Sequence, residues 1–198
     1  MTSQPCSNIT IHNGDCLEFI KTMGAGTVDI VLTDPPYGMK YRSAWRSCKY
    51  DEIKNDDSTD FLDDLIPELN RVMKSDSVLY MFCSHHQIDR FKQAIEKQLK
   101  IKNLLVWIKN NHTSGDLKGA FGNRTEFCFM AVKGTPVIQG KRPDNCLFYP
   151  RTDNSLHPTQ KPVDMLNFMT SKFRVLGGFY LTHLWDLVVL VWRHYSRA

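Results

Sequence analysis

Hydrophobic and polar residues alternate in blocks along this chain of 198 residues. Short apolar runs, typical of buried strands, are separated by longer runs in which apolar residues recur every three or four positions, as on one face of a helix. The strand-like runs are TVDIVLTD, SVLYMFCS, NLLVWIKN and TEFCFMAVKG. The helix-like runs are STDFLDDLIPELNRVMK, which Ser58 or Thr59 is predicted to cap, and HHQIDRFKQAIEKQL. Strands that alternate with helices predict an α/β fold with a mostly parallel sheet and helices on both faces.

The first strand-like run ends abruptly, in the stretch TVDIVLTDPPYG. Ligands of open α/β sheets bind beyond the carboxyl ends of strands, where this stretch places Asp34. Pro35 and Pro36 have no backbone N–H, so the local carbonyls are rigid acceptors without competing donors. Asp34 adds a carboxylate acceptor, and Tyr37 adds a flat ring with a polar tip. The group suits an amino group on a planar ring. A strand-terminating turn, in which Asp34 caps and Tyr37 packs, is the alternative.

Composition indicates one ordinary globular domain, with 42% hydrophobic and 23% charged residues. The net charge of +4 is compatible with a polyanionic partner but does not require one. The chain starts without an export signal, and its six cysteines form no C-x-x-C pair, which predicts a cytoplasmic protein with reduced thiols. His85 and His86 follow Cys83 closely, but no second ligand pair exists, so they are predicted to start a helix and no metal site is predicted.

Five segments resemble, in this order, those of the amino-methylating DNA methyltransferases of the D-P-P-Y family: NGDCLEFI, VDIVLTDPPYG, WIKN, TEFCFMAVKG and HPTQKPVDMLNFM. The resemblance runs from Ile9 to about Phe173, and the order of D-P-P-Y and H-P-T-Q-K-P is similar to that of the permuted beta group. It implies a Rossmann-like methyltransferase fold that uses S-adenosyl-L-methionine. It also implies an enzyme that methylates the exocyclic amine of adenine in double-stranded DNA.

The resemblance implies a role for each motif. Asp34, Pro35, Pro36 and Tyr37 would be catalytic: Asp34 and the Pro35 carbonyl hold the amine, and Tyr37 stacks on an adenine flipped out of the duplex. Cofactor-binding residues would be Asp15 and Cys16 near the adenine end, Asp34, and His157, Thr159 and Lys161 near the methionine end. Lys161 would face the methionine carboxylate. A turn role for Asp15 and a solvated position for Lys161 are the alternatives.

Basic and aromatic residues interleave in the two long polar loops, at about residues 38–57 and 110–124, as contact with DNA requires. The predicted DNA-binding residues are Lys40, Tyr41, Arg42, Trp45, Arg46, Lys109, Lys118 and Arg124. Solvated loops are the alternative. No separate recognition domain is predicted, because residues 140–157 leave room for only a short insertion. A restriction endonuclease partner, or none, is compatible with the sequence.

Three rival functions are also compatible with the sequence. Methylation of the cytosine amine presents similar hydrogens, although the family's cytosine enzymes tend to carry Ser at the position of Asp34. Methylation of protein glutamine or RNA usually accompanies Asn at that position. The third rival is a catalytically dead remnant that binds DNA or protein.

The C-terminal segment departs from the family pattern. After Phe173 the resemblance implies a strand that ends in an Asp-Pro-Phe-x-Gly-Ser-Gly cofactor loop, whereas this chain reads RVLGGFYLTHLWDLVVLVWRHYSRA. The bases that encode residues 178–195 can also be grouped into triplets that start on the last base of each codon. Codon degeneracy allows choices for which these shifted triplets encode VLLDPFMGSGSTGVAAL. We therefore predict a frameshift between about Phe173 and Gly178. Residues 1–173 would then be an incomplete methyltransferase domain, and residues 174–198 an aberrant, aggregation-prone tail without the cofactor loop; an ordinary C-terminal helix or strand is the alternative.

Overall fold

The computed structural model describes residues 7–38, 58–112, 118–152, 160–173, 178–184 and 187–193. The strands in these ranges are β1 (Ser7–Asn13), β2 (Val28–Asp34), β3 (Met73–Cys83), β4 (Lys100–Ile108), β5 (Thr125–Lys133), β6 (Cys146–Phe148), β7 (Gly178–Leu184) and β8 (Leu187–Arg193). The α-helices are α1 (Cys16–Thr22), α2 (Leu62–Val72), α3 (Ile88–Glu96) and α4 (Val163–Ser171). Among the described residues, none of the helices has the length and apolar character needed to cross a membrane.

The strands form a single mixed sheet in the order β1-β8-β7-β2-β3-β5-β4-β6. β2 pairs in parallel with β3 and β7, and β4 pairs in parallel with β6. β5 runs antiparallel to β3 and β4, and β8 runs antiparallel to β1 and β7. The predicted parallel sheet is therefore correct for the direction of most described strands, but β5 and β8 run against it.

Hydrophobic clusters cover both faces of the sheet. β3 divides between them with a period of two, because Leu79 and Met81 face one cluster whereas Tyr80 and Phe82 face the other. Residues of α1, α2 and α3 complete the first cluster, and residues of α4 complete the second. The predicted α/β class with helices on both faces is confirmed.

The two predicted helix starts have different outcomes. α2 begins at Leu62, and the Ser58 hydroxyl accepts a hydrogen bond from the backbone of Asp60 at 3.0 Å instead of capping the helix. The predicted cap is wrong because a turn, closed by the Leu62 N–H on the Thr59 carbonyl, precedes the first helical residue. The histidine pair forms a 3₁₀ turn, His85–Gln87, that leads directly into α3, as predicted for a helix start.

One row of residues crosses the carboxyl edge of the sheet and links its N-terminal, C-terminal and central strands. Asp34 lies opposite Leu184, Leu184 opposite Leu187, and Leu187 opposite Asn13. β1 therefore runs in the same direction as β2, and both strands end at this edge. At about 4.8 Å per strand, Asn13 lies about 14 Å from Asp34 along the row. The tail thus supplies two strands, β7 and β8, between β1 and β2, which agrees with the alternative interpretation of the tail as ordinary strand.

Candidate active site

β2 places Asp34 at the carboxyl edge of the sheet. Thr33 and Asp34 are buried there, at 2% and 6% exposure. Pro35 and Pro36 follow directly, and because proline has no backbone N–H, the ladder of hydrogen bonds cannot extend past Asp34. β2 therefore ends in a buried carboxylate at the edge where open α/β sheets bind their ligands.

Two donors hold the Asp34 carboxylate. The Tyr37 hydroxyl donates to Oδ1, and the Lys161 ammonium donates to Oδ2 at 2.6 Å. Lys161 stands just before Pro162, the N-cap of α4, so the start of that helix brings the ammonium to the end of β2. The side chains of Asp34 and Lys161 are 7% and 5% exposed, and they form a buried ion pair.

The ion pair continues into a longer arrangement, which we call the charge chain: Asp34, Lys161, Glu126 and Lys109. Lys161 Nζ lies 3.2 Å from Glu126 Oε2, and Lys109 Nζ donates to Glu126 Oε1 at 2.5 Å. Lys161 also lies over the ring of Phe82, 5.0 Å from its centroid. The charge chain alternates in sign and contains two carboxylates and two ammonium groups, so its net charge is zero.

The pKa values of Glu126 and Lys161, the two central members of the charge chain, shift in opposite directions. Burial would raise the pKa of Glu126, but the Lys161 and Lys109 ammonium groups outweigh it and hold that pKa below its ordinary value. Burial would lower the pKa of Lys161, but Asp34 and Glu126 outweigh it and hold that pKa above its ordinary value. Both groups therefore remain charged at neutral pH.

Replacing Glu126 with Gln should lower stability in a pH-dependent way. Because the folded pKa of Glu126 lies below the ordinary value of 4.5, the charged carboxylate stabilises the fold above that pH, and the contribution is lost as the pH falls through the folded pKa. We expect the difference in unfolding free energy between the parent chain and E126Q to be constant at about pH 5–8 and to shrink below that range.

Urea unfolding at a series of pH values measures this difference. The control is Glu18→Gln in the exposed Glu18–Lys21 pair, which should differ little from the parent at any pH. A stability loss in E126Q that stays constant down to about pH 3 would contradict the ion-pair role of Glu126.

Tyr37 and a neighbouring thiol remain protonated beside Asp34. Burial and the Asp34 charge raise the pKa of Tyr37 well above its ordinary value, so its hydroxyl is a donor. Burial and the same charge raise the pKa of Cys83 to about 12, so its thiol is not a nucleophile at neutral pH. The Tyr37 ring packs edge-on against Phe91, with centroids 6.3 Å apart. Tyr37 is thus packed and bonded to Asp34, as the turn alternative predicts, and its stacking on a base remains a prediction.

The six predicted cofactor residues have different positions in the structure. Asp15 is exposed and is the N-cap of α1, where its Oδ1 accepts from the Glu18 N–H at 3.0 Å. Cys16 is half-buried at the start of α1 and packs against the core. Lys161 is buried, so its solvated alternative is wrong, and its ammonium lies on Asp34 and Glu126. His157 and Thr159 lie outside the described residues, and Asp34, which is also a predicted cofactor residue, is the buried carboxylate at the end of β2.

The predicted DNA-binding residues are also divided. The first-loop residues Lys40, Tyr41, Arg42, Trp45 and Arg46 lie outside the described residues. Lys118 and Arg124 are exposed, which fits both the predicted contact with DNA and the solvated alternative, and Arg124 also donates to the Lys109 carbonyl at 2.8 Å. Lys109 is 7% exposed and its ammonium pairs with Glu126, so its predicted position on a solvent-facing loop is wrong.

Glu126 is the site residue that sequence reasoning missed. It is the second residue of β5, and because β5 runs antiparallel to β3, its start lies at the same edge as the end of β2. The only signal in the sequence is a carboxylate near the start of an otherwise apolar run, TEFCFMAVKG. Within the part of the chain that the structure describes, no group of three or more His, Cys, Asp or Glu residues could hold a metal ion.

Known proteins match both the sequence and the fold. A family profile described as DNA methylase, for N6 and N4 methyltransferases, matches residues 28–173. YubD of Escherichia coli (strain K12) is 31% identical over 162 residues, which cover 81% of this chain and 68% of YubD. The DNA adenine methyltransferase YhdJ of the same strain is 26% identical, in an alignment that covers 79% of this chain and 64% of YhdJ.

Solved structures share the architecture. The complex of M1.HpyAVI with SAM aligns with a TM-score of 0.64 at 21% identity, covering 87% of this chain and 81% of that chain. The PvuII DNA methyltransferase, described as cytosine-N4-specific, aligns with a TM-score of 0.67 at 13% identity, covering 86% of this chain and 72% of that chain. These alignments confirm the Rossmann-like methyltransferase fold. Because the profile matches well over half of the sequence, the chain belongs to the DNA methylase family of N6 and N4 methyltransferases.

Proposed function

We propose that the edge around Asp34 binds the exocyclic amine of adenine in DNA, and that the family reaction of this site is methyl transfer from S-adenosyl-L-methionine. The observation that carries the proposal is the buried Asp34 carboxylate at the end of β2, fixed by Tyr37 and Lys161. The SAM complex of M1.HpyAVI supports the choice of donor, and the adenine methyltransferase YhdJ supports the choice of base.

The chemistry of an aromatic amine explains why such a site is needed. The lone pair of the adenine amine is delocalised into the ring, so the nitrogen is a poor nucleophile until acceptors draw its hydrogens out of the ring plane. Each carboxylate oxygen of Asp34 has a second lone pair beyond the one used by Tyr37 or Lys161. Asp34 can therefore accept a hydrogen from the amine, and the Pro35 carbonyl, which faces no competing N–H from Pro36, can accept the other.

We propose that the donor side of the site binds S-adenosyl-L-methionine poorly in this chain. β7 ends at Leu184 and β8 begins at Leu187, so only two residues connect them at the edge between Asp15 and Asp34. A cofactor loop needs several residues, with glycines that let its backbone approach the ligand closely, and residues 179–198 contain no glycine. The family profile also stops at residue 173. We propose that residues 174–198 replace the cofactor loop and impair methyl transfer.

Adenine rather than cytosine should carry the methyl group. Asp34 stands where the family's cytosine enzymes tend to carry Ser, and this is the reason for the preference. The measurement is digestion of treated DNA to nucleosides and mass spectrometry, with DNA lacking prior methylation as substrate. The assay uses this chain or, if its rate of methyl transfer is too low to measure, the restored-frame product. We define the restored-frame product as the protein translated from the gene after insertion of one base between codons 173 and 178.

Two controls make the adenine test decisive. Unmethylated DNA incubated with the donor alone measures background, and the Asp34→Ala variant measures methyl groups that arise elsewhere. N6-methyladenine as the single methylated nucleoside supports the proposal. N4-methylcytosine alone would replace it with the cytosine rival, because the fold is shared with the cytosine-N4-specific PvuII enzyme and does not distinguish the two bases.

A further inference from the structure

Glu126 has no part in the proposed chemistry, yet it lies one ammonium group away from Asp34. Its Oε1 is satisfied by Lys109, whereas its Oε2 is buried and makes no hydrogen bond with any residue that the structure describes. Lys161 Nζ is nevertheless only 3.2 Å from that Oε2. Buried acceptors are normally hydrogen-bonded. Glu126 Oε2 is therefore a second acceptor to which the Lys161 ammonium, now bonded to Asp34, can move.

Lys161 creates a conflict for the proposed substrate. Its ammonium donates to Asp34 Oδ2 at 2.6 Å, so an incoming amine shares that oxygen with a competing, charged donor. It also cancels the Asp34 charge, which would otherwise favour the partial positive charge that an amine gains as it is alkylated. An anion on the other side of Lys161 removes both problems, because it can hold the ammonium and balance its charge.

We propose that Glu126 is a positioning residue of the amine site: it draws the Lys161 ammonium toward its Oε2 when an amine binds, which makes Asp34 a stronger acceptor for a hydrogen of that amine. The inference rests on the proposed function. Lys109 supports it from the far side, because its bond to Oε1 fixes the orientation of the Glu126 carboxylate. With Glu126 in place the charge chain is neutral. Without Glu126 the remaining three members of the charge chain have a net positive charge beside the amine.

A proton relay along the same residues is the competing explanation, and the chemistry excludes it. The pKa of Glu126 is lowered and the pKa of Lys161 is raised, so transfer of a proton from Lys161 to Glu126 is strongly unfavourable. Glu126 therefore acts by charge and position and not by carrying a proton.

The test compares two single-stranded oligonucleotides, one of deoxyadenosine and one of 2′-deoxynebularine, which is the same purine without the 6-amino group. Single strands need neither base flipping nor a recognition site, so the difference in affinity isolates the amine. We expect the present chain to bind the adenine strand about tenfold more tightly, the effect of one hydrogen bond to a charged group. In E126Q that preference should fall to about threefold or less, and Glu126→Asp should recover part of it.

Glu68→Gln is the matched control. Glu68 pairs with Arg71 at 2.7 Å and its side chain is 25% exposed, close to the 27% of Glu126, but it lies on α2 away from Asp34. Loss of an equivalent ion pair there should leave the adenine preference unchanged. An E126Q protein with the full preference would overturn the inference. A parent chain without any preference would overturn the proposed amine site instead.

A second measurement judges Glu126 independently of DNA. Nitrogen-15 NMR of the Lys161 ammonium reports how fast its protons exchange with water, and two carboxylates together with burial should make that exchange slow. We expect E126Q to speed the exchange about tenfold or more, and Glu68→Gln to leave it unchanged. An unchanged exchange rate in E126Q would show that Glu126 does not hold Lys161 and would overturn the inference, whatever the oligonucleotides show.

Discussion

The restored-frame product should bind S-adenosyl-L-methionine tightly, whereas the present chain should bind it weakly or not at all. The physical reason lies at the carboxyl edge of the sheet. β7 pairs with β2 so that Leu184 lies beside Asp34, which is where the loop after this strand would meet a cofactor. In our proposal the present chain lacks this loop, because only two residues separate β7 from β8 in the sequence and residues 179–198 contain no glycine for close backbone approach.

The gene sequence provides the first measurement. The codons of residues 178–195, read from the last base of each codon, should encode Asp-Pro-Phe-x-Gly-Ser-Gly. One position is already fixed, because Trp185 and Asp186 require TGG followed by GAY and hence a shifted GGA codon for Gly. A shifted reading that lacks the glycine loop would show that the frameshift prediction is wrong.

Calorimetry and thermal unfolding provide the second measurement. A ligand at about 100 times its Kd stabilises the folded state by about 2.7 kcal/mol, so saturating cofactor should raise the Tm of the restored-frame product by about 5–10 °C. The present chain should show little shift. The control is the restored-frame product with its loop glycines changed to alanine, which should lose most of the gain. Equally tight binding by the present chain would show that residues 174–198 do not impair the cofactor site.

Local patterning made much of the fold predictable. β2 is an apolar run stopped by two prolines, and β3 and β5 are equally clear, because burial on both faces of a sheet demands continuous apolar residues. The start of α2 was less predictable, because Ser58 and Thr59 have the chemistry of a helix cap but form a preceding turn. A one-turn difference at a helix start changes few local interactions and leaves little trace in the sequence.

The proposed amine site was predictable from the sequence only in part. Asp34, Pro35 and Tyr37 are contiguous, so their chemistry can be recognised in one short stretch. Lys161 stands 127 positions away from Asp34, and its ion pair depends on how α4 packs against the sheet. Glu126 reaches the site only because β5 runs antiparallel between β3 and β4, a pairing that apolar patterning does not specify. Contacts between distant segments depend on topology, and so they required the structure.

The exchange of Asp34 for Ala should abolish both adenine preference and methyl transfer, and it should also destabilise the chain. Removal of one member of a buried ion pair leaves the other charge without its partner, at a cost of about 3–5 kcal/mol. Glu126 remains near Lys161 and offsets part of this cost. A loss of activity in this variant alone would therefore not distinguish a missing amine acceptor from a weakened fold.

A double variant separates the two effects. Asp34→Leu with Lys161→Met removes both charges and the acceptor oxygens of Asp34, and it keeps the approximate volume of each side chain. Replacement of a buried ion pair by hydrophobic residues of similar volume is often nearly neutral for stability. Lys109 remains as the partner of Glu126. We expect urea unfolding to show that the double variant recovers most of the stability lost in Asp34→Ala. Its preference for deoxyadenosine over deoxynebularine, and the methyl transfer of its restored-frame counterpart, should remain absent. If a stable double variant binds or methylates adenine like the parent chain, Asp34 is not the amine acceptor.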